Sequence, residues 1–453
     1  MSEGRSSSEI NPAGSRDEVA SARGSRWRAA GRALQHRNFQ LFFSGQLISL
    51  IGTWMQSVAQ AWLVYKLTGS ALKLGEVGFA SQIPVFLFAP LGGIAADRYN
   101  RRHVVIGTQV AAMILAAVLA ALTLTHAIDH RVWLIFVLAA FLGVVNAFDI
   151  PGRQSFLVEM VGKEDLMNAI ALNSSMFNGA RVIGPAIAGS LVAKIGEGWC
   201  FAANAVSYIA VIIGLLMMRV NRRERASIAS PLDHMMEGFR FVSRTAPIRA
   251  LLLLLGLVSL VGMPYVVLMP IFADKILHGG ARGLGILMGA TGVGALLGAL
   301  TLAFREGVKG LGRWVAMCCA GFGASLVIFS LSHRFWISVI LLLPVGYTMM
   351  LQMACSNTLI QVMVPDALRG RVMAVYSMMF MGMAPIGALL GGALADRLGA
   401  QVAVGIGGLA SMAGAGWFWL QLPKIRVEAR RLIVAQAVAG GEPSEMTAQA
   451  VED

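Results

Sequence analysis

The chain has 453 residues, of which 57% are hydrophobic and 13% charged, with 37 Lys and Arg against 24 Asp and Glu. Soluble domains carry about 25% charged residues, so this composition excludes a water-soluble enzyme, a disordered chain and a nucleic-acid-binding domain. A membrane helix takes about 20 apolar residues, and the chain has enough of them for about a dozen such helices. We therefore expect an all-α membrane protein in a lipid bilayer.

Residues 1–37 lack a long apolar segment. They are rich in Ser, Arg and Gly and include Glu3, Glu9, Asp17 and Glu18. A secretory signal peptide has an apolar core, and an organelle transit peptide is poor in acidic residues. The composition therefore predicts a disordered tail.

Twelve apolar stretches follow the tail. The first six lie near 39–64, 72–95, 104–125, 132–152, 166–194 and 199–218, and the second six near 248–273, 284–304, 313–332, 335–361, 371–395 and 401–422. We predict twelve transmembrane helices in two six-helix bundles, at residues 38–220 and 247–422. A linker at 221–246 would join the bundles, and a second tail would cover 423–453.

The distribution of positive charge predicts the orientation. On the side shared by both termini the predicted loops and tails hold 28 Lys and Arg, the opposite side holds eight, and Arg181 lies within a span. Cytoplasmic loops carry the positive excess, so we expect both termini in the cytoplasm. The net charge of +13 is then a topology signal and requires no nucleic-acid partner.

The two predicted bundles contain a repeat. The segment 171–196 aligns without gaps to 374–399, at an offset of 203 residues, with ten of 26 positions identical. Both segments fall in the fifth span of their bundle. This pattern predicts two six-helix units of the same orientation, related by an axis along the membrane normal.

The linker is expected to contain an amphipathic helix. Ser230 and Pro231 suit the start of a helix. The apolar residues Leu232, Met235, Met236, Phe239 and Val242 then recur on one face. We predict that this helix lies at the cytoplasmic membrane surface.

A charged loop between the second and third spans has a distinctive spacing. Its residues Gly93, Asp97, Arg98, Arg101 and Arg102 resemble the loop signature of the major facilitator superfamily. The stretches 38–46, 52–56 and 149–156 resemble one bacterial branch, which includes enterobactin exporters and macrolide-efflux proteins. The resemblance implies a twelve-span secondary transporter of a bacterial inner membrane that moves a small molecule.

The same loop supports a physical hypothesis for a cytoplasmic gate. Gly93 and Ala96 would allow close helix approach. Asp97 could accept hydrogen bonds from the N-terminus of the span near 371, or pair with Arg153. In the alternative, Arg98, Arg101 and Arg102 only enforce topology.

Ionisable groups within spans are candidate sites because burying them is costly. Arg181 shares a polar stripe with Ser174 and Asn178, and contacts either the substrate or a structural partner. Asn146, Asp149 and Arg153 share one helix face. Asp149 either carries a proton or pairs with an arginine near a helix break that Pro151 is expected to cause.

Other polar residues in the spans allow two interpretations. Glu76 either carries a proton or is an ordinary rim residue paired with Lys73. A stripe in the first span either lines an aqueous cavity or hydrogen-bonds to another helix; its members are Gln46, Ser49, Thr53, Gln56 and Gln60. Nine methionines in 335–395 would form an adaptable apolar wall or pack in the core.

Several functions have little support in the sequence. No Walker motif, nucleophile–base constellation or metal-ligand spacing occurs, so we expect neither an enzyme nor a cofactor or metal site. Gly184 to Gly189 partly resembles a segment of superfamily antiporters. We predict a monomeric, proton-coupled exporter of a small amphipathic compound, such as a siderophore or drug. Import of a nutrient on the same scaffold is the alternative.

Overall fold

The computed structural model describes residues 32–162, 164–218, 231–305 and 307–439, and its regular elements are all helical. After a 3-10 turn at Arg32–Gln35, the helices are α1 (Arg37–Thr68), α2 (Ala71–Arg98), α3 (Arg101–Leu124), α4 (Trp133–Val161), α5 (Leu166–Ile195), α6 (Glu197–Met217), α7 (Pro231–Arg244), α8 (Ala246–Ile276), α9 (Gly280–Ala303), α10 (Leu311–Ser330), α11 (Phe335–Met363), α12 (Asp366–Leu398) and α13 (Ala400–Ala439). The predicted first tail up to residue 31, residues 219–230 of the linker and residues 440–453 lie outside the described residues.

Within the described part of the chain, eleven helices are long and apolar enough to cross a membrane. α5 has 30 residues and stands as the twelfth, with polar residues such as Asn173, Asn178 and Arg181 along it. Each of the twelve predicted stretches corresponds to one helix, so the predicted all-α membrane fold is confirmed. α8 is irregular: it has π-helical turns at Val258–Gly262 and Phe272–Ile276, next to Pro264 and Pro270.

Local chemistry explains several helix ends. α1 ends at Gly69, whose φ of 62° is available to glycine at little cost, and Ser70 then caps α2 by accepting a hydrogen bond from the Lys73 backbone N–H. Gly196 and Gly399 end α5 and α12 with φ of 92° and 89°. These two glycines are 203 residues apart, so the sequence repeat recurs in the backbone.

The expected helix break at Pro151 is wrong, because α4 continues through it to Val161. Pro151 has no N–H, which frees the carbonyl of Ala147 one turn earlier. Gly92 of α2 packs against that carbonyl: a Cβ added to Gly92 would lie 1.9 Å from the oxygen. The neighbouring glycine, Gly93, has open space and makes no such close approach. The close helix contact at this position therefore joins α2 and α4 within the first bundle, and it is made by Gly92.

α13 extends beyond the predicted end of the last span. It passes through Pro423 and continues to Ala439, into the region predicted as a tail. Leu422 and Ile425 are buried on this extension, and Leu432 and Ile433 are packed against the core. The apolar spacing makes the extension amphipathic, which keeps it helical against the bundle.

The twelve long helices form two halves. In the first half, α2 packs on α4 and α1 and α3 pack on α6; in the second, α9 packs on α11 and α10 packs on α11 and α13. The halves meet mainly through two pairs, α2 with α12 and α5 with α9, and α8 makes smaller contacts with α1 and α2. We call the face of the bundle with the start of α1 and the end of α13 the terminal side, and the opposite face the far side.

The linker helix α7 lies on the terminal side and contacts α12 and α8. Glu237 forms an ion pair with Arg371, and Gly238 lies against the Arg371 backbone. Met236 and Phe239 remain 61% and 38% exposed, as a helix at a membrane surface requires. Side chains 231–235, which include two members of the predicted apolar face, lie outside the described set.

A Gly92→Ala variant tests the α2–α4 contact. The added methyl group collides with the Ala147 carbonyl, so we expect a loss of about 1–3 kcal/mol and a lower melting temperature in detergent. Gly93→Ala is the matched control, because its methyl group meets open space and alanine favours a helix. Equal melting temperatures for the two variants would contradict the packing at Gly92.

Candidate transport pathway between the two halves

Two glycine pairs bring the halves into backbone contact on the far side. A Cβ added to Gly75 of α2 would lie 3.1 Å from the Cα of Gly392 on α12, and one added to Gly189 of α5 would lie 2.8 Å from the Cα of Gly285 on α9. Gly189 and Gly392 are 203 residues apart, as the repeat requires. The two contacts are therefore equivalent under the pseudo-twofold axis, and glycine is what permits both.

Hydrogen bonds between the halves accompany these contacts. The Tyr65 hydroxyl donates to Asp274 Oδ2 at 2.9 Å, joining α1 to α8. Ser70 Oγ donates to Asp396 Oδ1 at 3.0 Å, and the Leu72 N–H approaches the same oxygen at 3.5 Å. The first turn of α2 attracts a carboxylate because its free N–H groups carry partial positive charge. Asp396 at the end of α12 thus caps the start of α2.

Asp396 is a residue that the sequence analysis missed. It belongs to Gly-Gly-Ala-Leu-Ala-Asp-Arg at 391–397, which is identical to Gly-Gly-Ile-Ala-Ala-Asp-Arg at 92–98 in five of seven positions. The first copy ends α2 on the terminal side and the second ends α12 on the far side. This repeated heptapeptide was the available signal.

On the terminal side the corresponding contact is not made. Asp97 is 49% exposed, and its charged neighbour is Arg101 of the next helix, 3.8 Å away. Within the described residues, Asp97 has no ion pair or hydrogen bond to α12 or to Arg153. Gly93 and Gly370, near the start of α12, both face open space. The α2–α12 interface is therefore joined at its far end and open at Asp97.

Arg101 and Arg102 hold the first half together. Arg101 donates to Glu159 Oε1 at 2.9 Å and to the Ser155 carbonyl at 3.3 Å, which ties α3 to α4. Arg102 donates to the carbonyls of Leu215 and Leu216, both at 2.7 Å, at the end of α6. Cations suit a helix C-terminus because its carbonyls carry partial negative charge. Asp97 and Arg98, by contrast, are exposed.

Asp149 is the centre of a buried polar cluster in the first half. It is 3% exposed and accepts hydrogen bonds from Thr108 Oγ1 and Gln109 Nε2, both at 2.8 Å. Its second oxygen lies 2.7 Å from Nε of Arg153. Arg153 is thus paired with Asp149 on its own helix rather than with Asp97. Asn146, one turn earlier, is half-buried.

The polar stripe of α1 packs on α6. The Asn204 amide donates to Gln56 Oε1 at 2.7 Å, and the hydroxyls of Thr53 and Tyr208 are 3.5 Å apart. Gln46, Ser49 and Gln56 are buried, and a Cβ on Gly52 would lie 2.5 Å from Asn204. Two of the five stripe residues, Thr53 and Gln56, therefore make the contacts of the interhelix alternative. Gln60 is half-buried.

Arg181 lies in the middle of α5. Its guanidinium carbon is 5.8 Å from the ring centre of Trp54, and Phe177 meets the same ring edge-on at 5.7 Å. Among the described residues, no carboxylate oxygen lies within 4.0 Å of it. Asn178 is buried and donates to the Ser174 carbonyl. Trp54 supplies a cation–π contact, and the N–H groups of Arg181 stay available to an acceptor.

The structure also shows the surroundings of Glu76 and of the nine methionines. Glu76 pairs with Lys73 at 2.8 Å, one turn away, as a rim residue would. Of the nine methionines in α11 and α12, Met349 and Met363 are buried and the other seven are half-buried. Gln352 of α11 is buried with both amide atoms unpartnered within the described residues, another polar group that the sequence analysis did not single out.

The sequence profile of the transmembrane secretion effectors matches residues 30–439 of the chain. The chain belongs to this family of the major facilitator superfamily. The resemblance inferred from the loop at 93–102 is therefore confirmed, and the family consists of transporters and not of enzymes.

Individual relatives are distant but cover most of the chain. The staphyloferrin A transporter of Staphylococcus aureus is 28% identical over 79% of this chain and 89% of its own length. Macrolide efflux protein A of Streptococcus pyogenes is 24% identical (80% and 90%), and enterobactin exporter EntS of Escherichia coli is 25% identical (81% and 86%). The crystal structure of the nucleoside transporter NupG superposes with a TM-score of 0.64 at 14% identity, covering 85% of this chain and 98% of that one, which supports the fold alone.

The far-side hydrogen bond at Asp396 is testable by a shift in conformation. Asp396→Ala removes about 1 kcal/mol from the far-side-closed state, so we expect an approximately five-fold shift towards far-side-open molecules. Double electron–electron resonance between spin labels at Lys194 and Arg282 would measure that distribution. The four native cysteines are buried and would not compete for the label.

The matched control is Asp129→Ala. Asp129 is also a far-side carboxylate, but its partner His126 lies in the same loop of the first half, so its removal should leave the distances unchanged. Asp97→Ala is expected to leave the far-side-closed state favoured. If the distance distribution of Asp396→Ala were identical to that of the unmodified chain, the Asp396 hydrogen bond would not stabilise the far-side-closed state.

Proposed function

We propose that the chain exports a small amphipathic compound across a bacterial inner membrane by alternating access. The observation that carries this proposal is the pair of symmetry-related glycine contacts that join the halves on the far side, while Asp97 has no ion pair or hydrogen bond to α12 among the described residues. Rocking the halves about a central site would break these contacts and form their counterparts at Asp97. A transporter of this kind needs both sets.

The proposed direction of transport and the orientation in the membrane are supported by the distribution of charge and by the relatives. With 28 Lys and Arg on the terminal side against eight on the other, we place both termini in the cytoplasm. The described conformation is then open to the cytoplasm, the side from which an exporter loads. Two relatives, a macrolide efflux protein and an enterobactin exporter, support export of a drug or siderophore.

The proposed substrate site combines a charge with an adaptable wall. Arg181, with Trp54 and Phe177 beside it, would bind an anionic or hydrogen-bonding group of the substrate. The half-buried methionines of α11 and α12 would fit varied apolar shapes because thioether side chains are flexible. Gln60, Asn146 and Asn178 are further candidates, whereas Gln56 is already occupied by Asn204.

We propose the proton as the coupling ion. The sequence has no Walker motif, so an ion gradient has to supply the energy. Asp149 is the carboxylate best placed to link a proton to motion, because protonation would weaken its pair with Arg153 on the side that must close. Glu76, paired with Lys73 at the far-side rim, is the other candidate.

Counterflow in proteoliposomes tests the transport mechanism. The purified chain would be assayed against a panel of catechol siderophores and macrolides, with and without an imposed proton gradient. We expect uptake of at least one compound that rises when the gradient drives exchange. Accumulation that ignores the gradient would rule out proton antiport, and gradient-driven uptake in the same direction as the proton would indicate import.

Substitution of Arg181 tests the proposed site. We expect Arg181→Ala to lower the transport rate of the same compound about ten-fold or more, equivalent to about 1.4 kcal/mol, with unchanged expression and melting temperature. Arg334→Ala is the control, because Arg334 is an exposed arginine at a helix end on the far side. Wild-type transport by Arg181→Ala would remove Arg181 from the site.

A further inference from the structure

A cavity of about 390 Å³ lies away from the pathway, on the terminal side of the second half. Its walls come from the start of α8, the loop before α10, the end of α11 and the extension of α13. Pro247, Leu251, Leu359, Met363, Phe418 and Leu422 make its interior apolar. The described lining residues all belong to the second half, so the cavity cannot be part of the route between the halves.

The mouth of this cavity is basic. Lys309 lines it from the loop, and Arg426 and Arg430 line it from α13, one helical turn apart. None of the described lining residues is acidic. In the sequence from 423 to 439, Glu428 is the single acidic residue, and it does not line the cavity. Among the described lining residues, Arg426 and Arg430 therefore present two positive charges on one face of α13.

The position of the mouth indicates where a ligand would come from. α13 crosses the membrane and continues past Pro423 as an amphipathic helix, which places Arg426 and Arg430 near the level of the lipid headgroups. Basic residues directly after a membrane helix, and basic pockets between such helices, attract anionic lipids.

We infer that this cavity binds an anionic phospholipid of the leaflet on the terminal side. One acyl chain occupies the apolar interior between Leu251, Leu359 and Phe418. The phosphodiester accepts hydrogen bonds from Arg426 and Arg430, which are spaced for a single phosphate group. Because only the second half contacts this lipid, it stabilises that half and does not bridge the two.

Native mass spectrometry of the full chain in a neutral detergent tests the site, with phosphatidylglycerol and phosphatidylcholine as probes. We expect phosphatidylglycerol to stay bound at an activation energy that strips phosphatidylcholine, with an occupancy at least ten-fold higher. Arg426→Gln with Arg430→Gln should abolish that difference. Equal retention of the two lipids, or equal phosphatidylglycerol binding by the double variant, overturns the proposal.

Two controls separate charge at this site from charge elsewhere. Arg240→Gln with Arg244→Gln removes an equally spaced, exposed pair from α7 on the same side, and should leave phosphatidylglycerol binding intact. Arg426→Lys with Arg430→Lys keeps the positive charge, so this variant should retain most of the phosphatidylglycerol binding. Loss of binding in the α7 variant would instead indicate a general attraction to the basic face and overturn the site.

A last comparison separates a lipid site from a phosphate site. Glycerol 1-phosphate carries the anionic group without an acyl chain, and we expect it not to displace phosphatidylglycerol even in large excess. Leu359→Trp fills the apolar interior without touching the arginines, so it should lower phosphatidylglycerol occupancy about ten-fold. Displacement by glycerol 1-phosphate, or full binding by Leu359→Trp, overturns the role of the acyl chain.

Discussion

Backbone contact between the two halves is the constraint on which this structure depends. Lipid tails are as apolar as the helices, so the hydrophobic effect does not hold membrane helices together and close packing has to. Gly75 with Gly392 and Gly189 with Gly285 supply that packing through direct backbone contact on the far side. The accompanying hydrogen bonds of Asp274 and Asp396 are few and lie at the rim, where water can replace them.

The contacts inside the first half are of a different kind. Asp149 gathers two hydrogen bonds and an ion pair in a buried position, and Arg101 and Arg102 fasten α3 to its neighbours. Breaking such a cluster would leave a buried group without its partner, which costs several kcal/mol. We therefore expect the first half to move as a rigid body when the two halves rock.

Hydropathy predicted the twelve helices, because it depends on the average composition of long segments, and the alignment of 171–196 with 374–399 predicted the repeat. The choice of packing face was less predictable. Gly92 and Gly93 are adjacent glycines, and which of them meets Ala147 depends on how α2 is rotated. Pro151 failed to break α4 because a neighbouring glycine accommodates the freed carbonyl, and that glycine is 59 residues away in the sequence.

The partners of the candidate site residues were also difficult to predict from the sequence. A stripe of uncharged polar residues on α1 cannot reveal its partner, and Asn204 of α6 takes Gln56. Arg181 was easier to single out, because its charge needs an explanation in any packing arrangement. The heptapeptide that contains Asp396 could be found in the sequence by its similarity to 92–98. Its contact with the start of α2 could be predicted only once α2 and α12 were known to be antiparallel neighbours.

Arg181 and the methionines of α11 and α12 belong to opposite halves, and this division has a consequence for mechanism. In the proposed site, a compound that is polar at one end and apolar at the other would contact both halves at once, whereas a purely polar or purely apolar one would be held by a single half. Binding to a single half does not distinguish the two orientations of the halves, and a ligand shifts a conformational equilibrium only through such a difference. An amphipathic substrate is therefore the kind that this arrangement could couple to motion.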